Sequence, residues 1–163
     1  SLFQKTHDLK KIVEQSDIIY IGGGNTKSML AVFRDWELDE ILINAYKSGK
    51  ILAGVSAGAI CWFNKGVTDS WAHGLRVMEC LDVLDGCCCP HYDGEKNRRP
   101  SVFKFIEQNT MSSCLAIEDG SALHYKDNKL HTAISFYEDK NSYHVSKKDG
   151  QIVEQKIKRI EIY

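Results

Sequence analysis

The sequence has no excess of charge of either sign. Its 163 residues carry 21 lysines and arginines against 22 aspartates and glutamates, which gives a formal net charge of −1. Without a basic surplus, the chain lacks the electrostatic attraction that holds a phosphate backbone or an anionic membrane surface. We therefore expect a small peptide or another small molecule as the partner, with no nucleic acid and no membrane.

The sequence also has no long apolar run, internal repeat, linker or low-complexity tract. No run approaches the roughly 20 apolar residues that a membrane-spanning helix needs. Apolar residues still make up 43% of the chain, enough for the core of one domain over residues 1–163. Since no signal peptide is evident, these features predict a soluble cytoplasmic protein.

A third absence concerns the cysteines, which include no C-x-x-C pair. Three of the six are consecutive, and neighbouring side chains point apart and make a poor tetrahedral metal cage. We expect buried, reduced thiols, with no metal and no cofactor. The six are Cys61, Cys80, Cys87, Cys88, Cys89 and Cys114.

The first third of the chain alternates predicted helices and buried strands. Residues 8–15 are typical of the end of a helix, and Asp17–Ile21 is a short apolar strand closed by glycines. Residues 26–48 have helical periodicity, as one bent helix or two short ones. Residues 50–55 form the next strand, and "ICWF" continues a helix that begins near Ala57. This order predicts parallel pairing with helical crossovers.

The remainder changes character after a polar loop. The segment "CCCPHYDGEKNRRP" is predicted as that loop, and Pro100 can open a helix at its first position. Short β-rich segments separated by turn signals follow. We expect an α/β fold with a doubly wound, mostly parallel sheet, helices on both faces and extra C-terminal strands and hairpins. Because the chain opens on a helix, we also expect a first strand–helix unit to be missing, so that the domain is N-terminally incomplete.

The stretch "GVSAG", residues 54–58, places a serine between two glycines at the junction of a predicted strand and a predicted helix. This is the context of a nucleophile elbow, in which a strained turn holds the serine hydroxyl in the open. Ser56 is therefore a candidate nucleophile, and the backbone N–H of Ala57 is a candidate oxyanion donor. The alternative is a structural turn that happens to contain a serine.

The glycine run Gly22–Gly24 ends the preceding predicted strand, so a parallel sheet would bring it to the same edge as Ser56. It lacks the remaining features of a dinucleotide or phosphate loop. The N–H groups of Gly23 and Gly24 can instead donate to an oxyanion. Close packing of strand against helix explains the run equally well.

A serine nucleophile needs a base, and His91 is the best-placed histidine because it lies in the polar loop after a predicted strand. His73 is the second candidate for the base. A carboxylate should orient the imidazole, and Asp69 gives the order Ser, Asp, His. Asp93 and Glu118 are rivals for that role.

The motifs "YIGGGNT", "GVSAGAICW" and "CPHYDGEKNRRP" occur in that order. Together they resemble the peptidase E family of serine dipeptidases, whose relatives include cyanophycinase. The resemblance implies an α/β fold similar to that of class I glutamine amidotransferases, and metal-free hydrolysis of dipeptides with an N-terminal aspartate. It also implies Ser56 as nucleophile, His91 as base and Ala57 with Gly23 and Gly24 as oxyanion donors. For the triad carboxylate, the family's acidic residue corresponds to Asp69 only if the alignment contains a gap.

In the family an arginine beyond the histidine holds the aspartate side chain of the substrate, and the nearest matches are Arg98 and Arg99. Asn25, in the glycine-rich loop, is a further candidate for substrate binding. The resemblance leaves three alternatives open: an inactive binding or scaffold domain, a cyanophycinase-like enzyme, and an esterase-type hydrolase. A homodimer is the assembly to test for.

Overall fold

The computed structural model of the chain describes residues 8–162. The chain divides into two compact units, with the boundary between Ala59 and Ile60. We call the residues up to Ala59 the N-terminal unit and those from Ile60 onward the C-terminal unit. A single domain over residues 1–163 stays a prediction from the sequence.

The N-terminal unit places two parallel strands among short helices. Strand β1 pairs with β2 in parallel, with Ile18 opposite Ile51 and Ile21 opposite Gly54. This confirms the parallel pairing that the sequence predicts for its first two strands. The elements in chain order are α1 (Leu9–Glu14), β1 (Ile18–Ile21), α2 (Thr26–Asp35), α3 (Leu38–Lys47), β2 (Ile51–Gly54) and α4 (Ala57–Ile60), the last of which crosses the boundary.

The helical stretch between the two strands is two helices rather than one bent helix. Asn25 caps α2, its side-chain oxygen accepting a hydrogen bond of 3.0 Å from the backbone N–H of Ser28. The break falls at Glu37, whose φ of 54° is incompatible with a continuing helix. Leu30 and Phe33 on α2 are buried, three residues apart and therefore on one helix face.

The C-terminal unit is built on mixed sheets. One described sheet has the strand order β10-β9-β6-β5-β3-β4, and a smaller one has the order β11-β8-β7. The elements are β3 (Phe63–Thr68), β4 (Arg76–Glu79), β5 (Leu84–Cys89), α5 (Arg98–Glu107), β6 (Ser113–Ile117), β7 (Ser121–Lys126), β8 (Lys129–Ser135), β9 (Ser142–Lys148), β10 (Gln151–Lys156) and β11 (Arg159–Glu161).

The α/β class is confirmed, and the C-terminal strands and hairpins are present. Strands β3, β5 and β6 run parallel, whereas β4, β9 and β10 pair antiparallel with their neighbours. Antiparallel partners need only short turns, such as the one at Asp149 and Gly150 between β9 and β10, so they extend the parallel core without crossover helices.

Three local predictions need correction. The helix after Ser56 has one turn only, because the carbonyls of Cys61 and Trp62 accept hydrogen bonds from the N–H groups of Leu81, Val83 and Leu84 and β3 begins at once. Cys87–Cys89 belong to β5 rather than to a loop, because they pair with β3 and β6. Helix α5 begins at Arg98, two residues before the expected start. Pro100 is tolerated there because a first-turn N–H has no intrahelical acceptor.

The core of the C-terminal unit lies between its larger sheet and α5. Apolar and thiol side chains fill it, among them Val67, Cys89, Tyr92, Val102 and Ile106. All six cysteines are buried, as the sequence predicts. None of the helices between residues 8 and 162 is long and apolar enough to cross a membrane.

Candidate active site

Ser56 occupies a strained turn between β2 and α4. Its φ is 55°, a left-handed conformation that costs a residue with a side chain roughly 1–2 kcal/mol. Two backbone hydrogen bonds close the turn: Gly58 N–H donates to Val55 O over 2.9 Å, and Ala59 N–H donates to Ser56 O over 3.0 Å. This is the strand-turn-helix geometry that the sequence predicts around the serine, and Ser56 is partly exposed in it.

The two glycines that flank the serine are required by space. A Cβ on Gly54 would lie 2.1 Å from the carbonyl oxygen of Gly58, and a Cβ on Gly58 would lie 2.1 Å from that of Ile21. Both obstacles are backbone atoms, which no side-chain rotation can move. The elbow therefore folds directly against the end of β1 because these two positions carry no side chain.

The glycine-rich loop after β1 lies beside the serine. A Cβ on Gly23 would sit 3.4 Å from Ser56 Cβ and 3.9 Å from Ser56 Oγ. The two loops are thus neighbours at one end of the β1–β2 pair, as parallel pairing predicts. Asn25, at the far end of this loop, uses its side chain to cap α2. The oxyanion role of the backbone N–H groups of Gly23, Gly24 and Ala57 stays a prediction.

In the C-terminal unit, His91 is paired with a carboxylate. Its Nδ1 lies 2.6 Å from Asp119 Oδ1, a hydrogen-bonded ion-pair geometry. His91 follows β5 and Asp119 follows β6, and these two strands are parallel neighbours. Their carboxyl ends meet at one sheet edge, which is where ligands bind in open α/β sheets. His91 also has a positive φ, 54°.

Asp119 is the residue that the sequence analysis missed. The sequence analysis names the neighbouring Glu118 as a candidate instead. The usable signal was its position just beyond an apolar strand and directly before Gly120, the same position that His91 holds after β5. Which carboxylate reaches the ring depends on the pairing of β5 with β6, and a single sequence does not state that pairing.

The carboxylates named from the sequence have other partners. Asp69 lies 3.8 Å from the guanidinium of Arg98, with its side chain 66% exposed. Glu118 is 7% exposed and accepts hydrogen bonds from the backbone N–H of Asn141 (2.8 Å) and the hydroxyl of Tyr143 (3.2 Å). The observed carboxylate partner of the His91 ring is therefore Asp119. The expected partner, Asp69, follows β3 and lies near Arg98 instead.

Asp93 is the other candidate carboxylate. In the described hydrogen bonds it contacts the backbone of Asp119 and does not contact the His91 ring. Its Oδ1 accepts the backbone N–H of Asp119 over 2.9 Å, and its Oδ2 lies 2.5 Å from Lys140 Nζ. Burial alone would raise the pKa of Asp93, but the hydrogen bonds from Lys140 and from the Asp119 N–H outweigh it and lower that pKa. Asp93 is accordingly ionised at neutral pH.

Both candidate arginines bind groups of their own chain. Arg98 is 3% exposed; its Nε and Nη2 donate to the two carboxylate oxygens of Glu95, and its Nη1 donates to Val67 O over 2.9 Å. Arg99 pairs with Glu154 over 2.8 Å and stacks on the Tyr92 ring, 4.5 Å from its centroid. A buried guanidinium must be paired, so Arg98 is fixed as a structural group.

Comparison with known proteins settles the family. The family model described as Peptidase family S51 matches residues 2–133. Over 155 residues the chain is 44% identical to the uncharacterized peptidase YgaJ of Bacillus subtilis (strain 168), an alignment that covers 94% of this chain and 67% of that relative. The chain belongs to peptidase family S51. The resemblance drawn from the three motifs is thereby confirmed at the level of the family.

A more distant relative and a solved structure are also similar to the chain. The chain is 28% identical over 127 residues to a protein named Peptidase E from Haemophilus influenzae, covering 72% of this chain and 58% of that one. A crystal structure of a peptidase from an acI-B1 Actinobacterium matches the fold with a TM-score of 0.64 at 18% identity, covering 93% of this chain and 61% of that chain. The chain thus spans about two thirds or less of the length of these relatives.

Proposed function

We propose that this S51 chain is a serine peptidase that cleaves short peptides. Ser56 is the nucleophile, His91 the general base and Asp119 the carboxylate that orients the base. The observation that carries the proposal is the 2.6 Å pairing of His91 Nδ1 with Asp119, because it directs one ring nitrogen toward a carboxylate and leaves Nε2 for the serine. The strained turn at Ser56 supports it from the other unit.

The proposed reaction follows from these roles. With Nδ1–H donating to Asp119, the lone pair of His91 Nε2 accepts the proton of the Ser56 hydroxyl. Oγ bonds to the peptide carbonyl carbon, and the backbone N–H groups of Ala57 and of Gly23 or Gly24 stabilise the resulting oxyanion. The C–N bond then breaks as the imidazolium gives its proton to the leaving amine. Water then attacks the acyl carbon as His91 Nε2 takes its proton, and the bond to Ser56 Oγ breaks as the imidazolium gives that proton to Oγ.

For the substrate we propose a dipeptide, with an N-terminal aspartate as the first residue to test. Of the two arginines, only Arg99 is accessible, with 39% of its side chain exposed against 4% for Arg98. A substrate carboxylate bound at Arg99 would replace Glu154 on the same guanidinium. Preference for aspartate therefore depends on that exchange, whereas cleavage itself depends on Ser56 and His91.

Cytoplasmic location and homodimer formation belong to the proposal as expectations from the sequence. Both are open to direct measurement, by fractionation of cells that express the protein and by sedimentation. Neither expectation affects the proposed reaction, which uses residues of one chain.

The deciding experiment compares Ser56→Ala with the wild-type protein on aspartyl and leucyl dipeptides and on an ester. We expect kcat/KM of the variant to fall by at least about a thousandfold, because the substitution removes the attacking oxygen. A fluorophosphonate probe should add its mass to the wild-type protein at Ser56 and leave the variant unlabelled. Thermal unfolding should be unchanged.

Ser112→Ala, at an exposed serine between α5 and β6, is the matched control and should keep full activity. Undiminished turnover in Ser56→Ala, or labelling of a well-folded wild-type protein at a different residue, would refute the proposed nucleophile. A folded wild-type protein that is neither labelled nor active would favour the scaffold alternative.

A further inference from the structure

We propose that Gly94 and the Asp93–Lys140 ion pair are positioning residues that hold the Asp119 carboxylate against the His91 ring. The inference rests on the proposed function in one respect only, namely that the His91–Asp119 pair serves catalysis. The positioning itself is a statement about this pair of side chains. It can be measured whether or not the protein turns over a peptide.

The first observation is the space that Gly94 leaves open. A Cβ on Gly94 would lie 2.1 Å from Asp119 Oδ2 and 3.2 Å from Asp119 Cγ. Gly94 is not among the described glycines with positive φ, so an alanine would adopt the same backbone without strain. A side chain at this position would therefore have to displace the Asp119 carboxylate.

The second observation is the way the turn after His91 is joined to the end of β6. Glu95 N–H donates to His91 O over 3.2 Å and closes the turn, which brings Gly94 past Asp119. Tyr92 N–H donates to Ile117 O over 3.0 Å. These bonds fix the backbone on both sides of the His91–Asp119 pair and hold Gly94 beside the Asp119 carboxylate.

The third observation is the bridge made by Asp93. One carboxylate oxygen accepts the Asp119 N–H and the other binds Lys140, in the loop between β8 and β9. Lys140 Nζ also lies 3.9 Å from Asp139. Asp93 therefore connects the turn after β5, the end of β6 and the loop before β9. A charge-assisted bond to a backbone N–H is the stronger kind, and here it fixes the main chain of the residue whose side chain meets the ring.

Such support is needed because Asp119 is exposed. Its side chain is 52% exposed, so water competes for the carboxylate, and holding the side chain in one orientation costs conformational entropy. A general base must be held near its productive geometry, and a displacement of about 1 Å can cost on the order of a hundredfold in rate. Without the constraints from Gly94 and Asp93, we expect the pair to be populated only part of the time.

The test uses Gly94→Ala, which displaces the Asp119 carboxylate and removes no charge. The atom it meets is the end of a side chain, so the protein should still fold. In the wild-type protein the proton on His91 Nδ1 should give a distinct downfield NMR resonance, assigned by its loss in His91→Asn. In Gly94→Ala we expect that resonance to broaden or disappear, and kcat to fall about ten- to a hundredfold with KM nearly unchanged.

A double-mutant cycle separates positioning from general damage. If Gly94 acts through Asp119, then Gly94→Ala combined with Asp119→Asn should be no slower than Asp119→Asn alone. Asp93→Asn and Lys140→Met should lower kcat and weaken the same resonance to a smaller extent. Asp149→Asn and Lys148→Gln, which change one charge each at exposed positions around the β9–β10 turn, are the controls and should behave as the wild-type protein does.

An unchanged His91 resonance and kcat in a folded Gly94→Ala variant would overturn the positioning role, as would fully additive losses in the cycle. If Gly94→Ala does not fold, Asp93→Asn decides by the same readouts. A protein that cleaves no peptide, yet shows the resonance in the wild-type form and loses it in Gly94→Ala, would support the positioning and refute the proposed function. The two failures are thus distinguishable.

Discussion

Ser56 and His91, the residues proposed as nucleophile and base, both have positive φ values, 55° and 54°. A non-glycine residue in this region costs on the order of 1–3 kcal/mol and persists only when its surroundings fix it. For Ser56 the surroundings are the hydrogen bonds that close the turn into α4. For His91 they are the bonds of Tyr92 to Ile117 and of Glu95 to His91 itself. In both residues, surrounding hydrogen bonds therefore hold the backbone in a conformation that it would not otherwise adopt.

At the same scale, Asp93 predicts a pH dependence of stability. Its pKa is lower in the folded protein than the value of about 4 for an unfolded chain, so its contribution is fully present above about pH 4 and is lost as the pH falls through the folded value. We expect Asp93→Asn to lower Tm by about 1–3 °C at pH 7 and by progressively less as the pH falls through the pKa of Asp93 in the folded protein.

Calorimetry across this pH range measures the difference directly. Asp149→Asn, which removes a charge in an exposed turn, should follow the wild-type curve throughout. A Tm difference for Asp93→Asn that is as large in acid as at neutral pH would show that the effect is not electrostatic.

At the scale of elements, the N-terminal unit depends on close contact between the end of β1 and the start of α4. The Ile21 carbonyl oxygen accepts the Val55 N–H over 3.1 Å, and it lies where a Cβ on Gly58 would be. The turn after β2 therefore contacts β1 through backbone atoms alone. This contact between backbone atoms fixes the turn independently of the Ser56 side chain.

This contact predicts a large difference between two glycine substitutions. Gly58→Ala should lower the free energy of unfolding by at least about 2–3 kcal/mol, because the added methyl group meets backbone that cannot move aside. Gly22→Ala should change it by less than about 1 kcal/mol, since among residues 8–162 no heavy atom other than its chain neighbours lies within 4 Å of that Cβ. Urea denaturation of both variants measures the two values. Equal stability of the two would contradict the close contact.

At the scale of the whole molecule, the cysteines are distributed through the interior rather than gathered at a surface site. All six are buried. Burial raises the pKa of Cys89 to about 12 and raises the pKa values of Cys61, Cys88 and Cys114 as well. The thiolate is the reactive form of cysteine, so these groups act as small apolar side chains at neutral pH.

This burial predicts low reactivity of the thiols in the native state. With a thiol-specific reagent at about pH 8, we expect the native protein to react at least about a hundredfold more slowly than the denatured protein, because both access and thiolate formation are suppressed. In the denatured protein, six thiols should react with the reagent. Rapid modification of one cysteine in the native state would indicate an accessible thiol.

The sequence by itself determined the elements and motifs that are encoded locally. Apolar runs and helical periodicity predicted β1, β2 and the helical stretch between them, and turn signals predicted the short C-terminal strands as a group, whereas β3 and β4 were not predicted. The "GVSAG" motif predicted the strained turn, because its chemistry is contained in five consecutive residues. The helix after Ser56 and the loop at Cys87–Cys89 were predicted wrongly, because strand pairing with distant segments overrode local preference.

Only the tertiary structure decided which charged groups meet. Asp69, Asp93, Glu118 and Asp119 are all acidic residues in or near loops, and the position of Asp119 just beyond an apolar strand does not by itself select it as the residue that binds the His91 ring. The parallel pairing of β5 with β6 selects Asp119, and burial at the start of α5 commits Arg98 to Glu95. Electrostatic contacts depend on distances of a few ångströms between segments far apart in the chain, and folding sets those distances.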